Sequence, residues 1–448
     1  MSSLRGRRLG AVAASAALVA SVVSVAGISV GAGAAPKVPG VTAKQITIGA
    51  TVPLTGIASF GYSDVAKAAN AVFKWVNHKG GIWGRKIKYV TKDDCYDTPG
   101  AGCTGVPNTV TQTHALLSIP VFATVGSLGT PTQDSVRSLL NSQGVPQLFV
   151  NSGSRDWNNP GVYPDLFGWQ PSYNEEGKIF AKYINATYPG ASVCYLGQND
   201  DFGTDGLSGL VAGGINPTVI KFYDVPSLVL TQGASIAPYI AAFQSAKCTV
   251  TVLDTIPGAT DAALGASLAL AYSPHWIISS VGSDPVTVWA GLNGKVPSDP
   301  ELGAVSFDYL PATTDPTSWN AWMVKVLLSD KADFPNFTSS SPLTGNMEYG
   351  LAWGVAFVEA LRANGKTLTR ASFLKTLTHT TFANTPSLLP LRYSPSDHQG
   401  LNGGYLVTIA SETSTSPVST TIYQTDSTPS GPVKVATKTS GGIPSWLK

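Results

Sequence analysis

Thr130-Pro131-Thr132-Gln133 is the stretch whose residue types and spacing come nearest to a binding device. Thr130 fits a helix N-cap, Pro131 the first helical position and Gln133 the third, the pattern of a capping box. Val136, Leu139 and Leu140 supply an apolar face behind it. A helix start carries backbone N–H groups without internal acceptors, and the helix dipole adds positive potential. Such an end could cradle a ligand carboxylate, and the same residues would serve equally as an ordinary cap. Asn151-Ser152-Gly153-Ser154-Arg155 follows the next apolar run. In an open α/β sheet ligands sit beyond the carboxyl ends of strands, where small hydroxyl residues and glycine bring backbone groups close. Arg155 could add a bidentate carboxylate contact. Phe60, Trp157, Trp169 and Phe202 fall in or near loops at the same edge. Each suits either the aromatic wall of a small-molecule site or plain core packing.

Catalytic signatures fail on inspection. Gly100-Ala101-Gly102-Cys103-Thr104-Gly105 has the glycine spacing of a dinucleotide turn, but Cys95-Tyr96-Asp97-Thr98-Pro99 separates it from the preceding strand. A pyrophosphate turn must join strand to helix directly. Gly365-Lys366-Thr367 lacks the first glycine of a P-loop, and Ser372-Phe373-Leu374-Lys375 has no companion motifs. The five histidines are isolated, without metal-ligand spacing. Asp93-Asp94 and Asp200-Asp201 could do acid–base work, but loop capping accounts for them better. These residues lead to no expectation of a metal, a cofactor or an enzyme.

The elements that must position these residues are α/β. Ile46 to Val52 is a β-branched run suited to a buried strand. Ser63 would cap a helix with Val65, Ala69, Val72 and Val76 on its apolar face. Gly80-Gly81 would end it, and Lys86 to Lys92 is the next strand. This βαβ unit implies a parallel sheet. Strands follow at 121–125, 147–150, 193–196, 219–223, 250–253, 276–279 and 304–307. Helices lie near 131–142, 174–187, 204–212, 236–246, 260–271, 284–292, 318–329, 346–363 and 370–379. From Ser411 the chain turns Ser/Thr/Pro-rich, and residues 426–448 read as a flexible tail.

At 448 residues the chain is too long for one compact core. Only 12% of residues are charged, beside 46 glycines and 31 prolines, which is unlike a nucleic-acid binder. Arg5, Arg7 and Arg8, the Ala/Val-rich run Leu9 to Val30 and Ala32-Gly33-Ala34 read as a signal peptide over 1–34, cut before Ala35. Arg7-Arg8 leaves Sec and twin-arginine export both open. Loss of those three arginines takes the formal charge from +2 to −1, leaving no electrostatic footprint for nucleic acid or anionic lipid. Four cysteines in an exported chain suggest disulfides. Spacing favours Cys95 with Cys103. Cys194 and Cys248 sit at two predicted strands and would bridge if those strands are neighbours, or else remain buried thiols. No cysteine stands at the cleavage site to take a lipid.

The ordered set PLTG, FG, VNHKGGIWGRKI, KDDC, VGSLGTPTQ, LFGWQPSY, QNDDFG and YSPSDHQG, over about residues 45–410, resembles the leucine/isoleucine/valine-binding family of type I solute-binding proteins. The resemblance implies two Rossmann-like lobes with parallel central sheets joined by a three-strand hinge. Lobe 1 would be 45–170 plus 306–392 and lobe 2 171–305 plus 393–425, with crossings near Gln170-Pro171, Ser306-Phe307 and Tyr393-Ser394. It implies a monomer that closes on a small ligand and delivers it to an ABC transporter permease, in the periplasm or outside the cell. A sensor for a signalling receptor and a secreted hydrolase are the rival roles. The family's two carboxylate-binding Ser/Thr residues map to Thr130 and Ser154. The wider implied ligand set is Ser59, Phe60, Leu128, Gly129, Ser152, Gly153, Phe202, Asp261 and Ser280. Two departures stand out. Amino-acid binders of this family place an acidic residue after the strand at 276–279, where this chain has Ser280-Val281-Gly282-Ser283-Asp284, and Asp284 reads as a cap for its own helix. Thr255 to Asp261 lacks the family's tyrosine. The ligand thus stays open among branched-chain amino acids, amides, urea-like compounds and aromatic or other carboxylates.

Overall fold

The structure, a computed structural model, describes residues 38–98, 100, 102–292, 294–312, 318–437 and 439–448. The expected signal peptide lies outside the described residues. The first lobe begins with β1 (Gln45–Val52), α1 (Ser59–His78), β2 (Lys86–Asp93), α2 (Thr109–Leu117), β3 (Thr124–Val125), α3 (Thr130–Ser142), β4 (Gln147–Val150) and β5 (Leu166–Gly168). The second is built from α4 (Tyr173–Thr187), β6 (Val193–Gln198), α5 (Asp201–Ala212), β7 (Val219–Tyr223), α6 (Val225–Leu230), α7 (Ala237–Ser245), β8 (Val250–Asp254), α8 (Pro257–Ala269), β9 (His275–Ile278), α9 (Pro285–Leu292) and β10 (Val305–Asp308). The chain then returns through α10 (Ser318–Ser329), α11 (Gly345–Asn364), α12 (Arg370–His379), β11 (Thr381–Phe382) and β12 (Leu391–Arg392). It finishes with β13 (Gly403–Ser411), β14 (Ser414–Pro417), β15 (Tyr423–Gln424) and β16 (Lys434–Val435).

Two sheets result. One is parallel, in the order β2-β1-β3-β4-β5. The other runs β16-β15-β13-β10-β9-β8-β6-β7, with β14 on β13. It is parallel from β7 to β10, and β13 joins β10 antiparallel. The second sheet is therefore mixed, which the expectation of parallel sheets left out. β10 stays in this sheet through Asp308, paired to Tyr405. The strand thus ends one residue past the pair Ser306-Phe307, near which the crossing is expected.

Helix α1 crosses α11 closely because small residues meet there. A Cβ on Gly350 would lie 2.1 Å from the Val65 carbonyl. Behind them Phe73, Tyr89, Trp353, Phe357 and Phe149 pack edge to face, the arrangement ring quadrupoles favour. Regular helix in α1 starts later than its first residue, since Phe60 and Gly61 are non-helical (Gly61 φ 81°). Ser63 is therefore not the cap, because the kink already reorients the chain ahead of it. Gly80 and Gly81 end the helix with positive φ, as their lack of a Cβ allows.

Both cysteine pairs are joined, Cys95 with Cys103 and Cys194 with Cys248. The second bridge is possible because β6 and β8 are neighbours, with Cys194 beside Thr251 in the register. The flexible tail expected over 426–448 does not fit the contacts found there. β16 pairs with β15. The Lys178 ammonium donates to the carbonyls of Asp426, Thr428 and Gly431. The Trp75 and Trp322 indoles both donate to the Leu447 carbonyl, and the Leu447 side chain is fully buried. A few apolar anchors at Ile443, Trp446 and Leu447 suffice to seat a segment whose average composition is polar.

Candidate functional site

A cavity lies where the carboxyl ends of strands from both sheets face each other. Leu128 to Thr130 follow β3, Asn151 follows β4, Ser280 to Asp284 follow β9, and Asp308 to Leu310 close β10. That is the edge where loops replace the sheet's own hydrogen bonding. The free space is about 110 Å³. A water needs ~10–15 Å³ on this measure, so the cavity has room for a small solute. Both lobes contribute. Tyr62 donates to the Val281 carbonyl at 3.0 Å, Gln198 to the Tyr96 hydroxyl at 3.3 Å, and Asn346 to Thr287 at 3.2 Å. At the rim the Arg155 backbone N–H and guanidinium both bond Asp205, at 2.8 and 2.7 Å.

At the α3 end the geometry differs from a capping box. Gly129 is the N-cap, with φ 114°. A Cβ there would fall 2.4 Å from the Thr132 hydroxyl and 2.6 Å from the Tyr96 ring, so only glycine fits. Thr130 is thereby moved into the first turn. Its hydroxyl meets Ser152 Oγ at 2.7 Å and Tyr173 OH at 3.4 Å. Gln133 turns away to donate to Thr51. Of the expected set, Leu128, Gly129, Thr130, Phe202 and Ser280 line the cavity. Ser152 and Gly153 stand just behind: Ser152 bonds Thr130, and the Gly153 carbonyl accepts from Tyr173 N–H. Ser154 does not line it, because its hydroxyl accepts the Asp156 N–H and caps the turn Arg155–Trp157. Arg155 is spent on Asp205. Ser59 donates to the Gly56 carbonyl, and Phe60 is 45% exposed. The kink after Phe60 presents Tyr62 in its place. Trp157 and Trp169 are core residues. Asp261 faces α9 beside Gly291, and burial pushes its carboxyl up to about 8.

Composition and spacing missed most of the lining. Tyr62, Tyr96, Tyr173, Tyr309 and Tyr349 ring the cavity, and Asp284, Asp308 and Glu348 add carboxyls. Asp284 accepts from Thr287 N–H at 2.8 Å, as a cap for α9 should, and also from Gly345 N–H at the start of α11. Burial pushes Asp308 up to about 7, with Asp284 adding to the shift. Behind Ser280, the Glu176 carboxylate accepts from the Ser280 N–H at 2.7 Å and the Ser279 hydroxyl at 3.2 Å. Burial and nearby Asp254 raise Glu176 to about 8. Asp308 was findable, since the residue after a buried strand is where sheet ligands sit. The tyrosines come from separate segments, and no spacing links them.

Known proteins agree with this architecture. A family model described as periplasmic binding protein matches residues 45–280. No curated protein matches the chain. Among solved structures it is similar to a fatty acid ABC transporter substrate-binding protein from Thermomonospora curvata, with TM-score 0.69 and 17% identity over 85% of this chain and 93% of that one. It is similar to a branched chain amino acid ABC transporter protein from Thermus thermophilus with bound valine, with TM-score 0.67 and 16% identity over 84% and 96%. A solute binding protein of an ABC transporter from Rhodopseudomonas palustris BisB5, in complex with 3,4-dihydroxy benzoic acid, gives TM-score 0.65 and 17% identity over 84% and 97%.

Proposed function

The chain belongs to the periplasmic binding protein family, and from that premise we propose that it is an exported protein that captures one small solute between its lobes and hands it to an ABC importer. The observation that carries this reading is the cavity itself, walled by loops at the carboxyl ends of both sheets and bridged by side chains of both lobes. Closing such a site removes a solute's polar groups from water, so each hydrogen bond inside becomes stronger and more selective. The lobes would part by rotation at the three crossings that follow β5, β10 and β12. The cross-lobe contacts of Tyr62, Asn346 and Arg155 would break in the open form. Among the described residues no helix is long and apolar enough to cross a membrane. Native mass spectrometry of gently purified protein should show one bound solute. Scattering should show a smaller radius of gyration with solute than after its removal. No adduct together with an unchanged radius would contradict the proposal.

A further inference from the structure

The charged groups that line the cavity are all of one sign. Among the described residues that line it there are three carboxyl groups, on Asp284, Asp308 and Glu348, and no lysine, arginine or histidine. Asp284 is engaged by two backbone N–H groups at helix starts. Asp308 differs: its carboxylate takes a long contact from the Thr415 hydroxyl at 3.5 Å. A carboxylate withdrawn from water without a countercharge is costly, and burial has already driven Asp308 upward. A second, independent feature points the same way. Of the five lining tyrosines, four have hydroxyls already engaged by the protein: Tyr62 with Val281, Tyr96 with Gln198, Tyr349 with Gln170 at 2.8 Å, and Tyr173 with Thr130 and Ser152. What those rings leave for a solute is π surface. Tyr309 packs edge-on to Tyr349 with centroids 6.3 Å apart, and Tyr173 packs on Phe202 at 4.4 Å. Aromatic faces beside carboxylates attract cations and repel anions. A third feature is Asn151, only 6% exposed, which lines the cavity with its Oδ1 lacking any hydrogen-bond partner. That oxygen asks for a donor.

We propose that the solute of this cleft is an organic cation, with an alkylammonium group seated beside Asp308 among the tyrosine rings and a polar group toward Thr130. This rests on the reading of the cleft as the solute site. It narrows the solute to amines and quaternary ammonium compounds, including amino-acid-like ones, and removes carboxylates that carry no positive group. Unlike an amine placed by the acidic residue expected after β9, the cation here is held from the β10 crossing.

The test is calorimetric titration with choline, n-butylammonium, n-butyrate and the neutral carbon isostere of choline, in which a tert-butyl group replaces the trimethylammonium. At least one cation should bind tenfold or more tighter than the isostere and the butyrate, a margin of one decade in Kd. Asp308→Asn should erase that margin while the ligand-free unfolding midpoint shows a folded protein. If that variant does not fold, Glu348→Gln should at least halve the margin. An isostere or butyrate that binds as tightly as the cations overturns the proposal. So does a neutral or anionic copurified solute identified by native mass spectrometry when no probe binds. A protein with no copurified solute and no binding to any probe would instead remove the cleft as a solute site.

Discussion

At the α3 end of the cavity the hydroxyl groups hold one another, whereas the hinge end brings carboxyl groups to the space between the lobes. Thr130, Ser152 and Tyr173 form a closed set of hydroxyl contacts of 2.7 and 3.4 Å. Asp308 and Glu348, at the β10 crossing and the start of α11, bring charge to the same space with no lining cation among the described residues. The difference teaches that a motif with good binding chemistry on paper can be satisfied internally. On the proposed reading, the wall that would discriminate between solutes is the one where Asp308 meets no lining countercharge. A hydroxyl pair already made gives a ligand little net gain, since one hydrogen bond must be exchanged for another. A buried carboxylate that gains a countercharge gains much more.

The comparison breaks most visibly if the charge is removed. Hydrogen bonds to charged groups contribute about 1.5–3 kcal/mol each, and 1.4 kcal/mol is about one decade. The double variant Asp308→Asn with Glu348→Gln should therefore weaken a cationic probe by about a hundredfold in titration. A loss under tenfold would place the anchor elsewhere.

A smaller effect is expected from pH. Burial raises Asp308 to about 7, Asp254 to about 7 and Glu176 to about 8. A carboxyl raised by folding stabilises the native state fully below its ordinary range, and loses that contribution as pH rises through the folded value. The unfolding midpoint of the ligand-free protein should thus fall by several degrees between about pH 5 and 8.5, since each tenfold change in a group's proton affinity on folding is worth about 1.4 kcal/mol. Asp308→Asn should flatten part of the slope. The α3 wall holds Tyr173, pushed up to about 12, so its variants should leave the slope alone. A midpoint that rises over this window would contradict the burial of these groups.

The smallest effect sharpens the comparison from the other side. Thr130→Val removes a hydroxyl whose nearest partner is Ser152. Stability should drop by about 1 kcal/mol, read by denaturant titration, and solute affinity should change less than about threefold. A tenfold loss of affinity would return the anchor to the α3 wall.

The alternation of strand and helix was legible because buried parallel strands read as apolar runs bounded by glycine, proline and polar turns. The helices at 318–329 and 370–379 begin and end where the pattern placed them. Helix α2 and α6 went unread, since α2 is rich in threonine, a weak helix former, and α6 is only six residues long. The tail misled for the opposite reason: Ser and Thr dominate it, yet Trp446 and Leu447 decide where it lies. In the site, position along a strand end was legible and side-chain direction was not. Gly129 took the cap and turned Thr130 inward, and Ser154 capped a turn of its own. Tyr62 replaced Phe60 because a single positive φ at Gly61 reorients the chain.

The solute is expected to sit between the two sheets. A crystal structure of the protein with its copurified solute, or with the tightest probe from titration, tests it most directly. The solute should lie between Thr130 and Asp308, in contact with Tyr173 and Tyr309, with both lobes touching it. Density for the solute in the crevice between α4 and the C-terminal strands, beside Lys182 and Tyr423, with the interlobe cavity holding water alone, would contradict the account.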